Sequence, residues 1–424
     1  MDMKTNMTNH TYERITEELN QAPWFGRTPD LTRMDALLDE LGLPQANTRN
    51  IIVTGTDGKG SVCSYLHSIL SRRYRKVGRF ISPHLEEWTE RITVSGNDIS
   101  RDDFARLYFK VMDGANKAYR VSGEMPTVFE RLLAMALLYF QEQGTQWNVI
   151  EVGIEGRYDS TNLLPAKAVV VTSVGLDHTR LLGSTLEEIA QTISAGFRPH
   201  AIAVIGNTDV GAMDILETNA RQKKAVVYRY GRDFWYDGKF RSFSGSLDFQ
   251  IGLKGVHQWY NASAAIQTVL ALRGSELTVD VSDIQEGLRE AFWPGRLETV
   301  REKPLIILDG AHNPHSAYSL RASLDLLYPG KKWTIFFGAM KDKDWRKVLE
   351  QFSDLANHVY AVRMPYERAE SPEAIVEFLK EQGVSSSVCE EEDVIKCEED
   401  ALVFGSLYLV GDVRRLARNA VHSF

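Results

Sequence analysis

The sequence predicts an α/β protein: a doubly wound, mostly parallel sheet carrying a phosphate-binding loop (P-loop), joined to a second, smaller Rossmann-like α/β domain. Three observations predict it. Apolar β-type runs alternate with helical patterns from Ile51 onward, a Gly-rich loop joins the first such run to the first such helix, and the pattern restarts after Pro294-Gly295. At 424 residues the chain exceeds what one core usually serves, so a division into 1–294 and 295–424 is expected.

Taken in order, residues 11 to 45 read as helical, with Leu31, Met34, Leu37, Leu38 and Leu41 on one face. Ile51, Ile52 and Val53 suit a buried strand, and SVCSYLHSILSRR after the loop has helical spacing. KVGRFISPHL holds a second strand ending at Ser82-Pro83, and VFERLLAMALLYFQEQG a long helix ending near Gly144. WNVIEVG is a buried strand whose last residues include Glu151; AVVVTSVGLDH is another, delivering Asp177 and His178 just past its end. The stretch YRYGRDFWYDGKFRSFSGSLDFQIGLKG suits small strands and turns, and a helix runs from about His257 to Arg273. FWPGRLE is a hinge candidate. Beyond it LIILDGAHNPHSA, WTIFFGAMKDKD, HVYAVRM and ALVFGSLYLVGDVRRLA repeat the strand-and-helix theme.

The segment IIVTGTDGKGS carries the chemistry. At a helix N-terminus the first backbone N–H groups lack intrahelical partners, and the helix dipole favours an anion. Gly55, Gly58 and Gly60 let backbone approach oxygen atoms, Lys59 can reach terminal phosphates, and Ser61 can hold Mg²⁺. The spacing G-x-x-G-K-x-S is shorter than the usual G-x-x-x-x-G-K-[ST], so the mechanism matches and the letters do not. Ligands of doubly wound sheets bind beyond the carboxyl ends of the strands, where Ser61, Glu151 and His178 could converge as metal ligands. Lys59 and Arg157 would spread charge over a triphosphate. Asp309, His312 and Asn313 in LDGAHNP could contact ribose, phosphate or an amine, and Arg296 at the hinge could close onto phosphates.

Composition excludes other classes. Net charge −8 argues against a nucleic-acid footprint, and the acidic run from Glu390 to Asp400 reads as solvated surface. Cys63, Cys389 and Cys397 are too few and too scattered for a disulfide framework or a cysteine zinc site. No apolar run approaches membrane-spanning length and the first twenty residues are polar, which predicts a cytoplasmic protein acting on small molecules.

The order of motifs resembles the Mur ligase superfamily, and within it the folylpolyglutamate synthase and dihydrofolate synthase family. The resemblance runs over nearly the whole chain: FGRTPDLTRMDALLDELGLPQ, TGTDGKGSV, FISPHL with ERI, PTVFERL, EVGIEGRYDSTN, TSVGLDHTRLLGSTLEEIA, GVHQWYNA, PGRLE, DGAHNP and GSLYLVGDVR. It implies an ATP-dependent amide ligase that phosphorylates a folate-type carboxylate and passes the acyl group to L-glutamate. It also implies that Thr56, Asp57, Gly58, Lys59, Gly60 and Ser61 bind the nucleotide, with Ser61, Glu151 and His178 on Mg²⁺. Asn261 would face the adenine, Arg296 the phosphates, and Asp309 and His312 the nucleotide or incoming glutamate. Ser82, His84 and Arg157 would serve the acid substrate. The cofactors implied are ATP and Mg²⁺, with a monovalent cation left open, and the family habit is a monomer.

Three departures stand out. Asp57 replaces the family's Asn, Glu155 replaces a Gly, and Ile193 or Ser194 stands where the family has a lysine that is typically carbamylated. One hypothesis is that Asp57 or Glu155 supplies the lost negative charge. The alternatives are a divergent paralogue joining another acid or amine, and a nucleotide-binding protein without ligase activity.

Overall fold

Strand β1 (Asn50–Thr54) is buried at every position, as are the strands Trp147–Glu151 and Ala168–Val171 beside it, so the sheet must be covered on both faces. The computed structural model describes residues 3–22, 26, 29–43, 49–154, 156–243 and 245–421. The eight strands of this sheet are β1, β2 (Val77–Phe80), β3 (Ile92–Val94), β4 (Asn97–Asp98), β5 (Trp147–Glu151), β6 (Ala168–Val171), β7 (Ile202–Ile205) and β8 (Val226–Arg229). Their spatial order is β4-β3-β2-β5-β1-β6-β7-β8. The strands from β2 to β8 in that order run parallel, while β3 and β4 extend one edge antiparallel. β5 and β6 flank β1, with Val53 opposite both Glu151 and Val170. A small antiparallel sheet of β9 (Phe234–Tyr236), β10 (Phe240–Ser242) and β11 (Gly245–Leu247) follows.

The helix after β1, Lys59–Arg73, is crossed by the helix Val281–Glu290 at Gly287, where a Cβ would lie 2.5 Å from the Ile69 Cα. Only a glycine allows that approach. The helix Val128–Gln143 starts where Thr127 Oγ1 accepts from the Glu130 N–H and ends at Gly144, which takes φ +66° as a left-handed cap.

Two elements differ from the sequence reading. The stretch read as helical from 11 to 45 is two helices, Met3–Gln21 and Thr32–Glu40, and 44–48 lie outside the described residues. The helix Arg101–Ser122 was not anticipated, although its signals are present. Ser100 Oγ accepts from the Asp103 N–H, and Phe104, Leu107, Tyr108, Val111 and Ala115 bury one face at helical spacing.

The chain forms two compact units, Met1–Gln250 with Tyr260–Ala291, and Ile251–Trp259 with Phe292–Phe424. The second is a six-stranded sheet of β12 (Glu298–Glu302), β13 (Leu305–Leu308), β14 (Trp333–Phe337), β15 (Ala356–Arg363), β16 (Ser386–Glu390) and β17 (Ala401–Phe404). Its order is β12-β13-β17-β14-β15-β16, parallel except for β12. Trp333, Phe337, Trp345, Phe352 and Phe404 fill its core. The acidic run forms the helix Glu391–Lys396, which buries Val394 alone. Among the described residues no helix is long and apolar enough to cross a membrane.

Candidate active site

The loop between β1 and its helix is held from the side by the chain leaving β6. Thr56 N–H donates to the Ser173 carbonyl at 2.9 Å, and Thr56 Oγ1 both donates to the Gly175 carbonyl and accepts its N–H. The Asp57 carbonyl accepts from Thr172 Oγ1 at 2.6 Å and from Ser173 Oγ at 3.1 Å, and Asp57 N–H donates to Ser173 Oγ. Sequence reading missed Thr172 and Ser173. Their signal was hydroxyls just after a strand that neighbours the loop-bearing one.

With its flank clamped, the loop adopts a backbone that glycine alone takes without strain. Gly58 has φ +85° and a Cβ there would sit 2.6 Å from Asn261 Oδ1; a Cβ on Gly55, at φ +122°, would strike Thr172 Oγ1. Asn261 is buried and lies against the loop itself. Lys59 opens the helix, and its ammonium donates to the carbonyls of Gly55 at 2.5 Å and Thr56 at 3.1 Å. Gly60 and Ser61 follow in the first turn, Ser61 being 2% exposed. The missing side chain, the helix N-terminus and the lysine together fit a phosphate.

Glu151 ends β5 beside β1, is 5% exposed, and accepts the Ser82 N–H at 3.3 Å. Ser61, on the helix that follows β1, and Glu151, at the end of the neighbouring β5, are hard oxygen donors of the kind that suits Mg²⁺. His178 was expected just past the strand. β6 instead stops at Val171, the residues after it clamp the loop, and His178 is an exposed residue at φ +47° capping the short helix Thr179–Leu182. Among the described residues no group of three or more His, Cys, Asp and Glu side chains is placed to hold a metal ion; the predicted set holds only two of those types. Arg157 is also exposed, with its guanidinium 6.0 Å from the Tyr158 ring.

The loop carrying Arg157 is pinned by Asp159, a residue the sequence reading did not single out. Its buried carboxylate accepts from the N–H groups of Gly153, Ile154 and Thr161 and from Thr161 Oγ1. Burial pushes this carboxyl up to about 6, against the lowering effect of those donors. The folded chain therefore binds this proton more readily than the unfolded chain between about pH 4 and 6. The contribution of Asp159 to stability is greatest below that window and is lost as pH rises through it. Asp159→Asn should flatten this part of the wild-type stability profile, measured by urea unfolding from pH 4 to 7.

Ser82 and His84 sit on the loop after β2. Arg91, 1% exposed, donates from Nε to His84 Nδ1 at 2.8 Å and from Nη1 to Ser82 Oγ at 3.3 Å. Glu90 accepts the N–H groups of Leu85, Glu86 and Glu87. Arg91 and Glu90 are the working part of ERI.

In the second unit, β13 delivers Asp309, 5% exposed, whose two oxygens accept the N–H groups of Leu297 and Ala311 at 2.9 Å each. Burial raises its pKa, opposed first by the Arg296 guanidinium and then by those two N–H groups. Arg296 Nη1 donates to the Gly295 carbonyl at 2.9 Å, and a Cβ on Gly310 would strike the same guanidinium. PGRLE and DGAHNP are therefore one structure. His312 Nδ1 lies 2.8 Å from the Gly310 carbonyl, which can only accept, so Nδ1 carries the proton and a neutral ring keeps its lone pair at Nε2. Asn313 Oδ1 caps the helix Pro314–Leu327.

Of the departures, Glu155 lies outside the described residues. Ile193 is core, and Ser194 Oγ is engaged with the Ala190 carbonyl and Asn219 Nδ2, so both side chains are used in packing the helix Leu186–Ile193 and its neighbour.

Residues 53–269 match the Mur ligase middle domain, and residues 295–404 the Mur ligase glutamate ligase domain. The chain is 30% identical to the dihydrofolate synthase/folylpolyglutamate synthase of Bacillus subtilis (strain 168), over 92% of this chain and 95% of that one. It is 31% identical to the folylpolyglutamate synthase of Lacticaseibacillus casei, over 95% and 98%. It superposes on the Mycobacterium tuberculosis folylpolyglutamate synthase complexed with ADP and AMPPCP with a TM-score of 0.88 at 27% identity, covering 97% of this chain and 99% of that one. With both domains matched and the relatives aligned almost end to end, the chain belongs to the Mur ligase family, among its folylpolyglutamate and dihydrofolate synthases.

Proposed function

We propose that the protein is an ATP-dependent ligase that joins L-glutamate to a folate-type carboxylate, either dihydropteroate or an existing glutamyl tail. The carboxylate oxygen takes the γ-phosphoryl group of ATP, releasing ADP. The amine of glutamate then attacks the acyl phosphate, forming the amide and releasing phosphate and a proton. One observation carries the reading: relatives of that activity align over nearly the whole chain, and the chain keeps the glycine, ammonium and buried hydroxyl of a phosphate loop.

In this reading residues 1–294 bind the nucleotide and the acid, and 295–424 serve the glutamate. Gly58, Gly60 and the N–H groups around them hold phosphate, together with Thr56, Asp57 and Lys59. Ser61, Glu151 and His178 would hold Mg²⁺, which supplies neutralisation of phosphate charge. Asn261, against the loop, would contact the nucleotide, and Arg296 and Asp309, neighbours in one turn of the second unit, would contact the phosphates and the nucleotide. His312 would serve the nucleotide or the incoming glutamate, its ring oriented by the Gly310 carbonyl. Ser82, His84 and Arg157 face the acid. In this reading the protein is a cytoplasmic monomer acting on small molecules, as is the habit of the family.

The test supplies ATP, Mg²⁺, L-glutamate and either dihydropteroate or tetrahydrofolate, and follows phosphate release and product mass. Glutamate-dependent phosphate with the mass gain of one glutamyl residue is expected. Nucleotide binding without turnover, or turnover only with another acid or amine, overturns it.

A further inference from the structure

His84 has two ring nitrogens, and the chain settles which of them bears the proton. Phe80 of β2 pairs with Ile92 of β3, and Ile81 N–H donates to the Arg91 carbonyl, so the hairpin sets Arg91 across from Ser82 and His84. The guanidinium is all but excluded from water, at 1% exposure, and lies 4.7 Å over the Trp88 ring, itself 5% exposed. The same indole packs at 4.6 Å against the imidazole of His84. Arg91 Nε reaches His84 Nδ1 at 2.8 Å, and Nη1 reaches Ser82 Oγ at 3.3 Å.

An arginine has no acceptor and does not give up its proton inside a protein. A nitrogen that faces Nε at 2.8 Å must therefore offer a lone pair. We infer that Arg91 is a positioning residue that locks His84 as the neutral Nε2–H tautomer, so that the ring presents a fixed hydrogen-bond donor to an acceptor oxygen or nitrogen of the acid substrate. Burial and the Arg91 charge both disfavour an imidazolium, in the same direction as the geometry. The indole adds what the hydrogen bond alone lacks. Trp88 contacts both partners, so neither the guanidinium nor the imidazole can turn away without losing that contact. The inference rests on the ligase reading only for what His84 faces; the tautomer itself is a property of the chain without substrate.

The experiment is nitrogen-15 NMR of the full chain with labelled histidine, His84 being assigned by the signal lost in His84→Gln. The proton is expected on Nε2, with Nδ1 bare. Arg91→Met removes the donor and should give a tautomer mixture, and the KM for the acid should rise ~10-fold, the value of one lost hydrogen bond of about 1.4 kcal/mol, while kcat and the KM for ATP stay within about twofold. Arg91→Lys keeps a donor and should restore the single tautomer. A proton on Nδ1 in the wild type overturns the inference, as does an Arg91→Met enzyme whose tautomer or acid KM is unmoved. If Arg91→Met does not fold, the wild type and Arg91→Lys spectra decide. Failure of the ligase reading would show separately, as a wild type that never turns over.

Discussion

Replacing Lys59 with alanine should lower ligase turnover by about 100- to 1,000-fold, the range for losing one preorganised charge-stabilising group at a transferring phosphoryl. The ammonium is curled onto its own loop, donating to Gly55 and Thr56 carbonyls, so it is already held at the helix N-terminus. A phosphate arriving there would take over those donors at little reorganisation cost. The loop itself should survive the change. Its clamps run from Thr56 and Asp57 to Thr172, Ser173 and Gly175, none through the lysine side chain. Lys59→Ala should therefore unfold in urea at nearly the wild-type midpoint while its steady-state rate collapses. A variant that keeps a rate within threefold of wild type would remove Lys59 from the phosphate site.

That separation of loop architecture from loop chemistry is also where sequence reading succeeds and fails. β1, the Gly-rich loop and the helix Lys59–Arg73 were legible because an apolar run, glycines that must take positive φ, and helical spacing are all local signals. The same holds for β5, β13 and the His257–Leu272 helix. What holds the site in shape was not legible, because it comes from partners far apart in sequence. Thr172 is 115 residues from Asp57, and nothing in TSVG says that its hydroxyl meets a loop carbonyl. Asp309 read as a ligand residue because it follows a strand, but that its oxygens also hold two backbone N–H groups was not legible. The position of His178, seven residues past the end of β6 at Val171, was not legible for a related reason. The length of the clamp between Val171 and His178 is set by the loop that it grips, and periodicity carries no trace of it.

Asp309→Ala should therefore cost stability as well as activity, and by more than a surface ligand residue would. The change strands the N–H groups of Leu297 and Ala311, residues 1% and 3% exposed, where water cannot replace the carboxylate. At 1–3 kcal/mol for each buried donor left unsatisfied, the loss is about 2–6 kcal/mol. Leu297 adds to it. Its φ of +44° is an uncommon backbone for leucine, and the hydrogen bond to Asp309 Oδ2 helps to hold it there. Arg296 precedes Leu297 and its guanidinium is drawn to the same carboxylate, so the turn that aims this cation should loosen as a whole. Hydrogen exchange of the purified protein would show it directly, as faster exchange at the amides of Leu297, Gly310 and Ala311 with β14 and β17 still protected. Asp309→Asn keeps one acceptor oxygen but turns an amide NH₂ toward the other N–H, so it should recover part of the stability and little of the activity. If the alanine variant leaves protection at Leu297 and Ala311 unchanged, Asp309 does not hold the two loops together.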